Sequence, residues 1–174
     1  MSEEVFGFIE NETAREKLKK SEDKIRQTYN ELFRGYNLKA EDILDSVEKV
    51  KNYNGLVIMK DIQFYSMCEH HLVPFFGTVD IYYKPNELIA GLGRLVKLAK
   101  DVHGSRLQFQ ETMTRDICQD IMKWLKADGC FVRTTAKHLC VCSRGVQDDI
   151  ATTVCNYAEG SLKDWITNTN NQIN

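Results

Sequence analysis

A chain of 174 residues with 43% apolar side chains is long enough to bury one ordinary core and short for two. Its 23 basic and 25 acidic residues leave a formal charge of -2, which argues against broad attraction to nucleic acid polymers or an acidic membrane surface. No run approaches the roughly 18 consecutive apolar residues of a spanning helix, and the acidic start MSEEV lacks the pattern of a signal peptide, so a cytoplasmic protein is expected.

From Asn11 to Tyr36 the sequence is charged and free of proline, with Leu18, Ile25, Tyr29 and Phe33 at near-helical spacing. One helix is expected there, capped by Asn11 or Thr13 and stopped at Gly35. A second short helix is expected over Ala40 to Val50, so that residues 1–53 read as a helical extension of an α+β domain at 54–174. LVIMKDIQFYSM and FFGTVDIYYKP are rich in β-branched and aromatic residues and read as antiparallel strands, the second ended by Pro85 and Asn86.

Between Gly91 and Lys126 the period turns helical, with Leu95, Leu98, Leu107, Met113, Ile117, Ile121 and Leu125 directed inward and Gly129 closing the longer helix. CFVRTTAKH and LCVCSRGV read as two more strands, and NYAEGSLKDWITN as a final short helix. The order strand, strand, helix, helix, strand, strand predicts an antiparallel sheet with two helices packed on one face.

Cys68, Glu69, His70 and His71 follow one another directly in a chain with only four histidines. Thiolate and imidazole suit zinc, and a catalytic zinc keeps three protein ligands with one position open. His138, Cys140, Cys142 and Arg144 alternate with Leu139 and Val141, which on a strand would put the four on one chemical face. Each half alone has an ordinary explanation, since free cysteines are commonly buried. Spacing leaves open whether Cys142 closes the site as a fourth, structural ligand. Six cysteines, Cys68, Cys118, Cys130, Cys140, Cys142 and Cys155, without framework spacing point to metal ligation or burial over disulfides.

Further along, Gln108, Gln110 and Glu111 at a helix start could meet the N–H edge of a purine, although Glu111 also suits the helix dipole. For phosphates the cations Lys24, Arg94, Lys97, Lys100, Arg106 and Arg144 are available, and only Arg144 is tied by sequence to the ligand run.

CEHHLVPFFG, GLGRLVKLAK, RLQFQETMT and KHLCVCSRGVQ resemble, in order and spacing, the signature segments of GTP cyclohydrolase I over roughly residues 56–147. The resemblance implies Zn2+ on Cys68, His71 and Cys140, with Cys142 not a ligand. It implies that zinc activates a water for attack at C8 of GTP, that the imidazole ring opens with loss of formate, and that the product is 7,8-dihydroneopterin triphosphate. His138 and His70 would handle protons, Glu111 and Gln110 would hold guanine, and Arg144 the triphosphate. Arg94, Lys97 and Lys24 would add phosphate charge. The implied architecture is a tunnelling-fold unit whose sheets join into an oligomeric barrel, commonly a decamer, with active sites shared between subunits.

Departures from the family pattern fall at the phosphate end: Gly93 and Arg94 stand where most members have Ser-Lys, Lys97 replaces an arginine, Gln27 sits at a usual lysine, and DDIATTVCNYAEG follows Gln147 in place of a Ser/Thr-rich strand. A related guanine nucleotide is therefore the nearest alternative substrate. Two other readings are a non-catalytic zinc-stabilised purine-binding barrel, and a nitrile reductase with a nucleophilic cysteine, whose motif is not visible.

Overall fold

Two long strands carry the architecture, and their length follows from the near-continuous β-branched and aromatic content of both runs. In the computed structural model, which describes residues 7–166, β2 (Val57–Cys68) and β3 (Pro74–Lys84) form the antiparallel hairpin expected from the sequence. The sheet has five strands in the order β5-β2-β3-β6-β7, with β5 (Leu107–Gln108), β6 (Gly129–His138) and β7 (Thr153–Gly160). Every pairing in it is antiparallel except β2 with β5, which run parallel through Met67↔Leu107 and Cys68↔Gln108.

Helices cover one face of this sheet. The long helix α5 (Gln110–Leu125) buries Met113, Ile117, Ile121 and Leu125 completely, at the spacing read from the sequence. Each such side chain contributes about 1.5–3 kcal/mol on burial. Ahead of it, α4 (Leu92–Lys97) runs directly into a π-helical stretch, Leu98–His103, whose wider turn is visible in the bond from Gly104 N–H to Ala99 O at 2.8 Å. Leu107 leaves the helical pattern altogether and enters β5, half-buried. Gly129 is the first residue of β6, and α5 instead ends on Lys126 in the left-handed conformation (φ 49°).

The expected single N-terminal helix is two: α1 (Glu12–Lys20), capped by the Asn11 side chain on Ala14 N–H at 2.9 Å, and α2 (Glu22–Leu32). Ser21 breaks them, since its N–H turns back to Leu18 O (3.0 Å) and its backbone leaves the helical region. A 3-10 turn, Arg34–Asn37, follows, then α3 (Ala40–Ile43), shorter than expected because Val47–Lys49 is taken up as β1, paired with β4 (Leu88–Ala90). The N-terminal segment is tied to the body: Leu44 is in the core, Gly35 N–H donates to Ser105 O (3.0 Å), and Arg34 pairs with Asp101 at 2.8 Å.

The segment after Gln147 also differs from expectation. Thr153–Gly160 is a full edge strand registered on β6 from Gly129↔Gly160 to Ala136↔Thr153, so Asn156 to Gly160 are strand and not the start of a helix. The last part of that expected helix, residues 167–168, lies outside the described residues. Among the described residues no helix is long and apolar enough to cross a membrane.

Gly77 sets how closely β3 and β6 approach. A methyl group there would collide with the carbonyl oxygen of Thr135 and stand 2.8 Å from Ala136 Cα, both backbone atoms of the opposing strand. Gly77→Ala is expected to cost about 2–3 kcal/mol, read as a fall in thermal midpoint of several degrees at fixed protein concentration. An unchanged midpoint would mean that the two strands can separate freely at this point.

Candidate active site

Cys68 ends β2, and the turn after it is built on its own backbone. His71 N–H and Leu72 N–H both donate to Cys68 O (3.3 and 2.9 Å), Cys68 N–H donates to Val73 O (2.9 Å), and Leu72 adopts a left-handed φ of 53°. This tight curl brings His71 back over the cysteine, with Nδ1 3.8 Å from Cys68 Sγ.

Cys140 arrives from β6 by a different route from the one its spacing suggested. β6 stops at His138, opposite Phe75, and the next rung would need a ladder bond from Pro74, which has no N–H. The chain instead curls into a single helical turn, α6 (Leu139–Cys142), closed by Ser143 N–H to Leu139 O at 2.9 Å. His138, Cys140, Cys142 and Arg144 therefore do not share a strand face. The donor atoms of Cys68, His71 and Cys140 all lie within 4.8 Å of one another, and Cys142 is not among the converging donors.

These residues fit a thiophilic cation. A tetrahedral ion bound to sulfur at about 2.3 Å and imidazole nitrogen at about 2.0 Å holds the two donors about 3.5 Å apart, close to the 3.8 Å found here. The Cys140 thiol is pushed up by burial, then by the neighbouring Cys68, with Arg144 opposing. Two thiols that disfavour each other's ionisation at contact are stabilised together as thiolates by a cation between them.

Two histidines and a carboxylate stand beside this group. His138 stacks flat on the buried Phe75 ring (centroids 4.7 Å, planes 3° apart), and its Nε2 is 2.8 Å from Gln110 Oε1. Burial holds its pKa below the ordinary imidazole value, and Glu111 opposes that shift, which places the exposed Glu111 carboxylate on the His138 side. His70 lies exposed over Phe109, ring centroids 4.7 Å apart. The parallel rung Cys68↔Gln108, with Glu69 N–H donating to Gln108 O at 3.3 Å, stitches the start of α5 to the metal turn and so carries Phe109, Gln110 and Glu111 to it.

The remaining sequence candidates are placed less closely. Arg144 is exposed and near enough to Cys140 to act on its thiol. Lys97 and Lys24 are exposed on α4 and α2. Arg94 Nη1 is engaged elsewhere, donating to Ile43 O (3.0 Å) and Asp42 O (3.4 Å) and meeting Asp45 at 3.4 Å. Gln110 is 2% exposed, and its amide faces the protein interior.

Sequence reasoning passed over Phe75 and Phe109, the aromatic backings of the two site histidines; their only signal was adjacency to the motifs CEHH and QE. Cys155, expected to be either metal-bound or buried, is half-buried on β7, and its thiol is pushed up to about 11 by burial and then by Glu111. A thiol so raised is not a ready nucleophile at neutral pH. The fourth histidine, His103, is buried in the π-helical stretch and pairs with Asp120 at 2.7 Å.

Comparison with known proteins finds relatives over most of the chain. The chain is 42% identical over 158 residues to the GTP cyclohydrolase 1 of Bartonella quintana (strain Toulouse), covering 90% of this chain and 76% of that one. It is 40% identical over 158 residues to the GTP cyclohydrolase 1 of Clostridium perfringens (strain 13 / Type A), covering 91% and 84%. Among solved structures, the archaeosine synthase QueF-Like in the apo form shares the fold, with a TM-score of 0.50 and 14% identity over 63% of this chain and 98% of that one. The family model described as GTP cyclohydrolase I matches residues 1–173, and the chain belongs to the GTP cyclohydrolase I family.

Proposed function

We propose that this chain is a zinc-dependent GTP cyclohydrolase that opens the imidazole ring of GTP at C8, releases formate and forms 7,8-dihydroneopterin triphosphate in the cytoplasm. The observation that carries the reading is the convergence of Cys68, His71 and Cys140 within 4.8 Å, beside His138, His70 and Glu111, in a member of this family.

Cys68, His71 and Cys140 would hold zinc, which when bound supplies Lewis-acid activation of a water at neutral pH. The Glu111 carboxylate accepts from the N–H edge of guanine and sets the ring against the metal turn. His138, held flat on Phe75, takes and returns a proton at the reacting ring, and exposed His70, over Phe109, serves the same exchange. Exposed Arg144, Lys97 and Lys24 supply charge for the phosphates. With Arg94 Nη1 turned toward the end of α3, fewer cations are left for the tail, which favours a looser grip on the third phosphate.

The outer edges of the sheet support an assembled enzyme. Among the described residues β7 is a terminal strand with Val154 45% exposed, and β2 meets its outer neighbour β5 only at Met67 and Cys68, so most of both edges has no strand partner among them. Joining β7 of one copy to β2 of the next closes a barrel and brings cations of one copy toward the site of another. The expected assembly is a homodecamer.

Incubating zinc-loaded protein with GTP should yield formate and, after oxidation, neopterin fluorescence, with turnover of GTP above that of GDP and dGTP. Cys140→Ala and His138→Ala should lower the rate at least about 100-fold; absence of pterin from the wild type would sink the reading. Strong chelation should remove activity and added zinc restore it, and X-ray absorption should show two sulfurs with lighter ligands; three sulfurs would instead assign Cys142 to a closed, structural site. Light scattering should give a particle of about 200 kDa, ten chains of 20.1 kDa each, whereas a monomer turning over GTP at full rate would rule out shared sites.

A further inference from the structure

Gln110 is the first residue of α5, 2% exposed, and its side chain reaches between strands β6 and β7. Its Nε2 lies 3.1 Å from Thr134 O and 3.1 Å from Thr153 O, both backbone carbonyls, and 3.0 Å from Thr134 Oγ1. Carbonyls only accept hydrogen bonds, so the atom facing them is the amide NH2, and the reversed orientation would set three oxygens against one another. The hydroxyls agree. Thr114 Oγ1 donates its single proton to Gln110 O at 2.7 Å, so Thr134 Oγ1 donates to Thr114 Oγ1 at 2.7 Å and has lone pairs left for the Gln110 amide.

With the amide nitrogen committed to the interior, Oε1 is the atom that faces His138, 2.8 Å from Nε2. An amide oxygen can only accept, so Nε2 carries a hydrogen. The second constraint on the ring is Phe75, fully buried and stacked 3° from parallel, which fixes the plane in which the two nitrogens lie. The Nδ1 atom is then the sole lone pair of the neutral imidazole.

We infer that Gln110 is a positioning residue that locks His138 in the Nε2–H tautomer, so that His138 exchanges its proton with substrate at Nδ1. The inference deepens the proposed cyclohydrolase reading and rests on it for its kinetic part. A proton taken from the reacting molecule forms the new N–H bond at Nδ1 and is returned from that same atom, while the Nε2–H stays on Gln110 Oε1. The orienting information comes from the buried hydroxyls and carbonyls of Thr114, Thr134 and Thr153, none of which reaches the metal group.

Long-range proton–nitrogen NMR on histidine-labelled, zinc-loaded protein resolves the tautomer, and only four histidines contribute. The wild type should show His138 protonated at Nε2, and Gln110→Met, which keeps the volume and removes the amide, should show a tautomer mixture or exchange broadening. Its kcat should fall about 10- to 100-fold, as for loss of an orienting partner, with KM changed no more than about twofold. Thr134→Val removes the hydroxyl and leaves both carbonyls in place, so it should keep the Nε2–H tautomer and lower kcat less than Gln110→Met does. Nδ1–H in the wild type, an unchanged ring signal in Gln110→Met, or a raised KM with kcat intact would each overturn the proposal, the last by making Gln110 a substrate contact. The spectrum needs no turnover, so a wild type that forms no pterin would sink the cyclohydrolase reading while leaving the tautomer assignment to be decided by its own signal. If Gln110→Met does not fold, the wild-type and Thr134→Val spectra decide.

Discussion

The register of one end of the sheet governs this molecule. Met67 opposes Pro74, Phe75 opposes His138, and Cys68 runs beside Gln108, so the ends of β2 and β6 and the starts of β3 and α5 meet within a single rung. A slip of one residue on any of these strands would turn its side chains to the opposite face, separating Cys68 from Cys140 or His138 from Phe75. Pro74 contributes by what it lacks: without an N–H it stops the ladder, β6 releases its chain, and a single helical turn can bring Cys140 to the metal group. Gly77 contributes by letting β3 and β6 approach closely three residues away.

Around that rung the site divides into a fixed half and an open half. His138, Phe75, Gln110, Thr114 and Thr134 are buried or half-buried, and the polar members satisfy one another's hydrogen-bonding capacity. A buried polar network with every donor paired is rigid, because moving any member leaves another unpaired in a low dielectric. His70, His71, Glu111 and Arg144 are exposed on a turn, the first turn of a helix and a loop. The fixed half suits the exchange of a proton at one atom, and the open half suits the entry of a large polyanionic substrate.

Much of this was legible from residue order. The hairpin and the long amphipathic helix follow from period, the Cys68 and His71 half-site from chemistry, and the choice of Cys140 over Cys142 from the family resemblance; the fully buried Met113, Ile117, Ile121 and Leu125 fall where the helical spacing put them. What was not legible depends on pairing. Cys140 looked like a strand residue because alternation in LCVCSR is real, yet a strand persists only while a neighbour offers hydrogen bonds, and Pro74 does not. Thr153–Gly160 was missed because its polar, weakly alternating residues acquire strand structure from registry with β6, which local propensity does not contain. Gln110 was read as a guanine contact from the family resemblance; its inward course appears only when Thr134 and Thr153 are brought beside it.

The same division bears on the cations proposed to meet the phosphates. Each group at this end of the sheet is located by backbone: Cys68 by the bonds to its own carbonyl, His138 by its ladder position, Gln110 by the carbonyls it meets. A change at any of them disturbs the sheet as well as the site. The cations differ in kind, since a lysine ammonium on a flexible stem is a point charge that reaches phosphate from several backbone positions. Arg94 can therefore turn to the end of α3 and Lys97 can stand where the family has arginine without moving the rung that carries the chemistry. What such exchanges give up is bidentate geometry, while Glu111 and the Cys68, His71, Cys140 group keep their places.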